Sequence, residues 1–186
     1  MKNIKLTLAI LIVLTILSFK EYKPIKINNT LNYNLNLSKK YFSSEDGNFK
    51  VNFSGKPTET SEVIKTEAGN IELHMFMYEK SATEIEMIAY SDYPTSIIKA
   101  NTPNDLLNSA KNGAVNNLNA KITEEYKTIF DRNPCIDFKA DNKQFYVIYK
   151  IFLKNNRLYQ IAIMRDGSYP SKKSIKKFVE TFKLTK

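Results

Sequence analysis

The sequence predicts an α+β domain: an antiparallel β-sheet of about eight strands, in the order ββββ-α-ββββ-α, with the helices packed on the sheet. Three observations lead there. After residue 41, apolar and polar residues alternate at period two through most of the chain. Two stretches, starting near Pro103 and Lys172, switch to the helical period. The breaks between successive strands are short, and short breaks join antiparallel neighbours. No strand–helix–strand alternation occurs, which excludes a doubly wound nucleotide-binding sheet.

Taken in order, the chain opens Met1-Lys2-Asn3-Ile4-Lys5, and Leu6 to Phe19 follow as fourteen residues without a charge. As a helix that run spans about 21 Å, short of a hydrocarbon core of about 30 Å. Residues 1–20 therefore read as a secretory signal peptide, with an uncleaved N-terminal membrane anchor as the alternative. Ser18 is small but Ile16 is not, so no clean cleavage site stands out, and no Cys follows the apolar run to form a lipobox. Residues 21–40 form an Asn-rich linker, with Asn at five of the nine positions 28–36.

The domain is expected over 41–186. Phe49, Val51 and Phe53 alternate after a turn at Asp46-Gly47, and Gly55-Lys56-Pro57 ends that strand. Thr58 to Thr66 is the second strand, with a turn over 67–70. Ile71, Leu73, Met75 and Met77 mark one face of the third, and Ile85 to Asp92 form the fourth, closed by Tyr93-Pro94. An irregular loop, TSIIKAN, is expected at 95–101. Thr102-Pro103-Asn104-Asp105 starts a helix: Thr caps, Pro occupies the first turn, and Asp sits three residues after the cap. Leu107, Ala110, Ala114 and Leu118 form its stripe. Strands follow at 122–130, 135–140, 145–153 and 157–165, the third apolar on both faces apart from Lys150 and therefore near the sheet centre. Ser171 caps a last helix in which Ile175, Phe178, Val179 and Phe182 repeat at helical spacing.

The net charge of +9 sits at the two ends. Residues 1–40 hold seven Lys and one Glu, residues 172–186 hold six Lys and one Glu, and the body between is nearly neutral. A nucleic-acid binder carries basic residues along its body, interleaved with aromatics, so nucleic acid is not the expected partner. Basic ends beside an apolar leader suit an anionic membrane surface, with Lys172, Lys173, Lys176 and Lys177 as candidate contacts. The alternative is a solvated face of the last helix.

FKVNFSGKP at 49–57, YSDYP at 90–94, NNRLYQ at 155–160 and KFVETF at 177–182 resemble a family of uncharacterised exported bacterial proteins. Their domain is similar in element order to PsbP, the extrinsic photosystem II subunit. The resemblance covers roughly 41–185. It implies a PsbP-like sheet with flanking helices and a binding or accessory role, without an established enzymatic activity. No partner-binding or ion-binding residue of PsbP has a recognisable counterpart here.

The inventory for catalysis is thin. One Cys excludes an intrachain disulfide and Cys-based metal sites; one His excludes multi-His metal sites; five Gly leave no glycine-rich phosphate loop. No cofactor, metal or catalytic residue is assigned. His74, on the strand face of Glu72, Phe76 and Tyr78, reads as structural or solvent-facing, and Cys135 as a buried free thiol. Asp92-Tyr93 at a strand end, with Arg157 and Tyr159 in the last hairpin, form with His74 a candidate binding rim. The expected function is an exported, non-enzymatic accessory protein, membrane-tethered where the leader is retained, that contacts an envelope protein or the membrane surface. The alternatives are an exported hydrolase using His74, and an apolar-ligand carrier lined by Met75, Met77 and Met87.

Overall fold

A computed structural model describes residues 41–185 apart from 67 and 68. The leader at 1–20 and the linker at 21–40 lie outside the described residues. In chain order the elements are β1 (Phe42–Ser44), β2 (Phe49–Val51), β3 (Thr58–Thr66), β4 (Gly69–Ser81), β5 (Glu84–Asp92), α1 (Thr95–Ala100), α2 (Pro103–Asn117), β6 (Lys121–Phe130), β7 (Asn133–Asp141), β8 (Phe145–Lys154), β9 (Arg157–Asp166), α3 (Lys172–Lys177) and β10 (Lys183–Leu184).

Seven strands form one antiparallel sheet, β3-β4-β5-β9-β8-β7-β6. It is two meanders, β3-β4-β5 and β6-β7-β8-β9, joined where β5 pairs with β9. Seven of the eight expected strands lie in it. The eighth, at Phe49–Val51, belongs instead to a separate three-stranded sheet, β1-β2-β10, that packs beneath the first. The β8 strand lies between β7 and β9, one strand from the middle, as its two apolar faces require.

Period-two alternation sorts the side chains into two cores. On the helix side, Leu73, Met75, Met87, Ala89, Tyr149 and Ile151 pack with Leu106, Leu107, Ala110 and Ala114 of α2. On the other side, Phe76, Ile88, Phe152, Tyr159 and Ile161 pack with Phe49, Phe53, Phe178 and Phe182 from the small-sheet layer. The α2 helix starts with the expected capping box: Asp105 N–H donates to Thr102 Oγ1 at 3.2 Å, and Thr102 N–H donates to Asp105 Oδ2 at 3.2 Å. Lys111 of this helix is buried, with Nζ 2.8 Å from Glu125 Oε2, so an ion pair fastens α2 to β6.

Two expectations are corrected. Residues 95–100 are a short helix, α1, and not an irregular loop. The Pro94 carbonyl accepts from Ile97 and Ile98 N–H at 2.9 and 3.2 Å, and Ile97 is buried. The C-terminal helix stops at Lys177 and does not run through Phe182. Phe178 departs from helical geometry at φ −115°, a single 3-10 turn follows at Val179–Thr181, and β10 pairs with β2. Thr181 holds the break: its Oγ1 donates to Phe178 O at 2.7 Å and accepts from Asn52 N–H at 3.0 Å. An extended β10 and a continuing helix are incompatible, and the ladder to β2 wins.

The FSGKP segment has a structural task. Glu86 is fully buried on β5, and its carboxylate accepts from Ser54 N–H at 2.7 Å and from the Ser54 hydroxyl at 2.6 Å. A buried carboxylate demands such donors. Gly55 then lies against the Tyr78 ring, where a Cβ would stand 2.4 Å from ring atoms. Replacing Ser54 by Ala removes one donor from a buried charge and leaves the backbone donor. The expected loss is about 1–3 kcal/mol of unfolding free energy, read as a lower urea midpoint with an unchanged m-value.

Candidate functional site

Antiparallel register brings the functional candidates to one corner of the large sheet, on its small-sheet side. His74 of β4 sits opposite Tyr90 of β5, and Tyr90 sits opposite Tyr159 of β9, which sits opposite Phe152 of β8. These side chains make a row of rings across four strands. His74 stacks on Tyr90 with centroids 4.6 Å apart and planes 15° apart, and Tyr159 stacks on Phe152 at 4.8 Å and 13°.

Two residues further along the same face, Asp92 pairs with Arg157. The guanidinium forks onto the carboxylate, Nε to Oδ1 at 2.7 Å and Nη2 to Oδ2 at 2.6 Å. Its Nη1 donates to the Asp46 carbonyl, and its Cζ lies 4.6 Å from the Tyr90 ring centroid. Tyr90 is thus flanked by an imidazole from one neighbouring strand and a guanidinium from the other. The Tyr159 hydroxyl donates to Gly47 O at 2.8 Å, so the β1–β2 turn is tied to the same corner.

Beside this row a cleft of about 310 Å³ opens between Asn48, Asp92, the Lys154–Arg157 turn and Tyr159. Its walls are mostly polar. Asn48 and Asn155 adopt the left-handed backbone region at φ 51° and 55°, which Asn tolerates better than most residues. The Asn155-Asn156 turn is anchored by Tyr93 N–H donating to Asn156 O at 2.8 Å.

Four of the five rim candidates therefore converge: His74, Asp92, Arg157 and Tyr159. Tyr93 lies elsewhere. It is buried in the helix-side core with Ile97 and Leu106, and its hydroxyl has no partner among the described residues. Strand parity puts it there: Met87, Ala89 and Tyr93 share the helix side, while Tyr90 and Asp92 face the other way. The sequence reading missed Tyr90, which looked like an ordinary core position, and the turn residues Asn48, Asn155 and Asn156. The YSDYP and NNRLYQ segments were the available signal, since together they supply most of the corner.

The charge of Arg157 at the corner is paired within the chain. The Asp92 hydrogen bond holds the Arg157 guanidinium above even its usual range, outweighing partial desolvation. Burial pushes the Tyr90 phenol up from 10 to about 12, although Arg157 pulls the other way. Burial likewise raises Tyr159. His74 Nε2 lies 3.6 Å from Glu72 Oε1. Ser61 faces His74 across β3 and β4, but no side-chain hydrogen bond joins them among the described residues. Cys135 is four strands from His74, about 19 Å at strand spacing. Its thiol is buried and pushed up by desolvation, with Lys150 Nζ 3.9 Å from the sulfur, and Lys150 is itself paired with Asp137 at 2.6 Å. Met75 and Met87 are buried in the helix-side core, away from the cleft. Among the described residues no group of three or more His, Cys, Asp or Glu is placed to hold a metal, and no helix is long and apolar enough to cross a membrane. Lys172, Lys173, Lys176 and Lys177 are all exposed on α3.

Two outcomes test this geometry. Arg157→Lys keeps the charge but loses the fork and the stack on Tyr90. It should cost about 1–2 kcal/mol in urea unfolding, with Asp92→Asn giving a similar loss and the double variant less than the sum. The unfolded Tyr90 phenol ionises near pH 10 and the folded one near 12, so its contribution to stability is complete below pH 10 and is lost as pH rises through 12. A Tyr90→Phe variant should show a shallower fall of stability between those limits in denaturant melts.

No protein-family model matches the chain, and no curated protein matches it in sequence. By structure it is similar to cyanobacterial PsbP (CyanoP) from Synechocystis sp. PCC 6803, known from a solution structure: TM-score 0.50, 10% sequence identity, 78% of this chain and 91% of that chain covered. The likeness is one of fold, and the described domain has a PsbP-like α+β architecture.

Proposed function

We propose that this protein is an exported, non-enzymatic accessory module held at a membrane surface, working by contact. A PsbP-like fold accords with an accessory or binding role. The apolar run at 6–19 supplies the route out of the cytosol and a means of tethering.

The observation that carries the reading is where positive charge collects. Lys50 of β2 and Lys183 of β10 stand directly opposite each other in the small sheet. Like charges so placed destabilise a sheet unless something negative is near. The exposed lysines of α3, namely Lys172, Lys173, Lys176 and Lys177, belong to the same layer. The chain arriving from residue 40 enters that layer through Tyr41 and β1, so a tether there would turn the basic layer toward the membrane. The corner around Arg157 is the surface we assign to a protein partner. Its charged groups are already satisfied within the chain, which suits recognition by shape and polar contact more than chemistry on a substrate.

The test is cosedimentation of the full chain with vesicles. Binding should be stronger to vesicles rich in anionic lipid than to neutral ones. It should weaken at high salt, and fall about tenfold or more when Lys172, Lys173, Lys176 and Lys177 are all changed to Glu. Equal binding to neutral and anionic vesicles, unaffected by those changes, would defeat the proposal.

A further inference from the structure

The large sheet ends in β6, and this edge is unlike the rest of the surface. Among the described residues β6 has one strand neighbour, β7, and nearly every side chain along its ten residues is exposed. Three of the five large apolar residues exposed in the described chain lie on it: Ile122, Tyr126 at 59% and Ile129 at 77%. The opposite edge, β3, carries one, Val63. An edge of this length with free backbone groups is a template for another strand.

From these features we infer that β6 pairs antiparallel with β6 of a second copy of this chain, in a register centred on Tyr126. A two-fold axis perpendicular to a continuous sheet keeps each face on its own side, so only registers centred on one residue are allowed. Centring on Tyr126 sets Glu125 of each copy opposite Lys127 of the other, giving two opposite-charge pairs, and sets Tyr126 against Tyr126. Centring on Glu125 sets two glutamates face to face, which is unfavourable. The strand register with β7 puts Glu125, Lys127 and Ile129 on the helix side, opposite Phe138, Ile136 and Pro134, and Tyr126 on the other side, opposite Asp137. The irregularity between Ile122 and Glu124 returns Ile122 to the helix side, opposite Ala140. Each Ile129 then lands near Ile122 of the other copy, so the exposed apolar residues on that face cover one another. The ion pair of Lys111 with Glu125 already orders the carboxylate at this edge.

The register is readable by disulfide trapping on the full chain. Tyr126→Cys puts two thiols directly across the axis, about 5 Å apart between Cβ atoms, whereas Glu124→Cys puts them about 14 Å apart along the strands. With copper–phenanthroline as oxidant, each pair of thiols gives up two protons and two electrons to form one disulfide. Tyr126→Cys should give a covalent dimer in many-fold higher yield than Glu124→Cys. The unmodified protein, whose one Cys is buried, should give none. Adding Lys127→Glu to Tyr126→Cys should lower the yield about tenfold, because both cross-axis pairs become repulsive. Circular dichroism checks that the variants, all at exposed positions, remain folded. Equal linking at 124 and 126, as association through the leader would give, overturns the inference. So does a ladder of higher oligomers, the signature of β6 meeting β3, or no linking at either position.

Discussion

The pairing of β5 with β9 is the constraint on which the remainder rests. Each strand closes one meander, and without their ladder the domain would be two unconnected sheets. Both faces of this pair are buried, one in the helix-side core and one against the small-sheet layer, so a slip of one residue would exchange every side chain between two different cores. The fork between Asp92 and Arg157 sits at the end of the same ladder. It adds a side-chain lock to the register at the exposed end of the ladder. The candidate site is therefore a by-product of the alignment: His74, Tyr90 and Tyr159 form a row because their strands are held in that register, and Arg157 caps it.

The two cores are built differently. The helix side relies on one long, well-capped helix with small residues, Ala110 and Ala114, that let it lie close to β7 and β8. The opposite side relies on aromatic rings from chain segments far apart in sequence. Phe49, Phe152, Tyr159 and Phe182 meet edge to face or stacked. Polar groups are placed where backbone must be fixed. Glu86 receives the Ser54 segment, Tyr159 receives the Gly47 turn, and Thr181 stops the last helix.

Much of this was legible in the sequence because alternation and capping are local signals. The seven strands of the large sheet, the turn positions and the α2 capping box all follow from spacing. What was not legible depends on partners distant in sequence. β1 and β10 are too short to show a period, and only their pairing with β2 makes them strands. The six residues of α1 are too few for a helical period to show. Phe178, Val179 and Phe182 keep helical spacing and are buried, but spacing reports which side chains face inward and not which backbone conformation delivers them. At the site, Asp92, Arg157, Tyr159 and His74 stood out as polar or titratable groups on alternating strands. Tyr90 did not, because a tyrosine in an apolar strand looks like core until its two flanking neighbours are known.

The small sheet has a consequence for how the molecule is made. Its middle strand, β2, is among the first segments of the domain to be synthesised, and one of its two neighbours, β10, is among the last. Until that late segment exists, the phenylalanines on this side have no complete cover. The domain therefore cannot finish its own interior until β10 has been made, and contacts so widely separated in sequence form slowly. A polypeptide that stays open until then keeps apolar surface within reach of chaperones for longer than one sealed early.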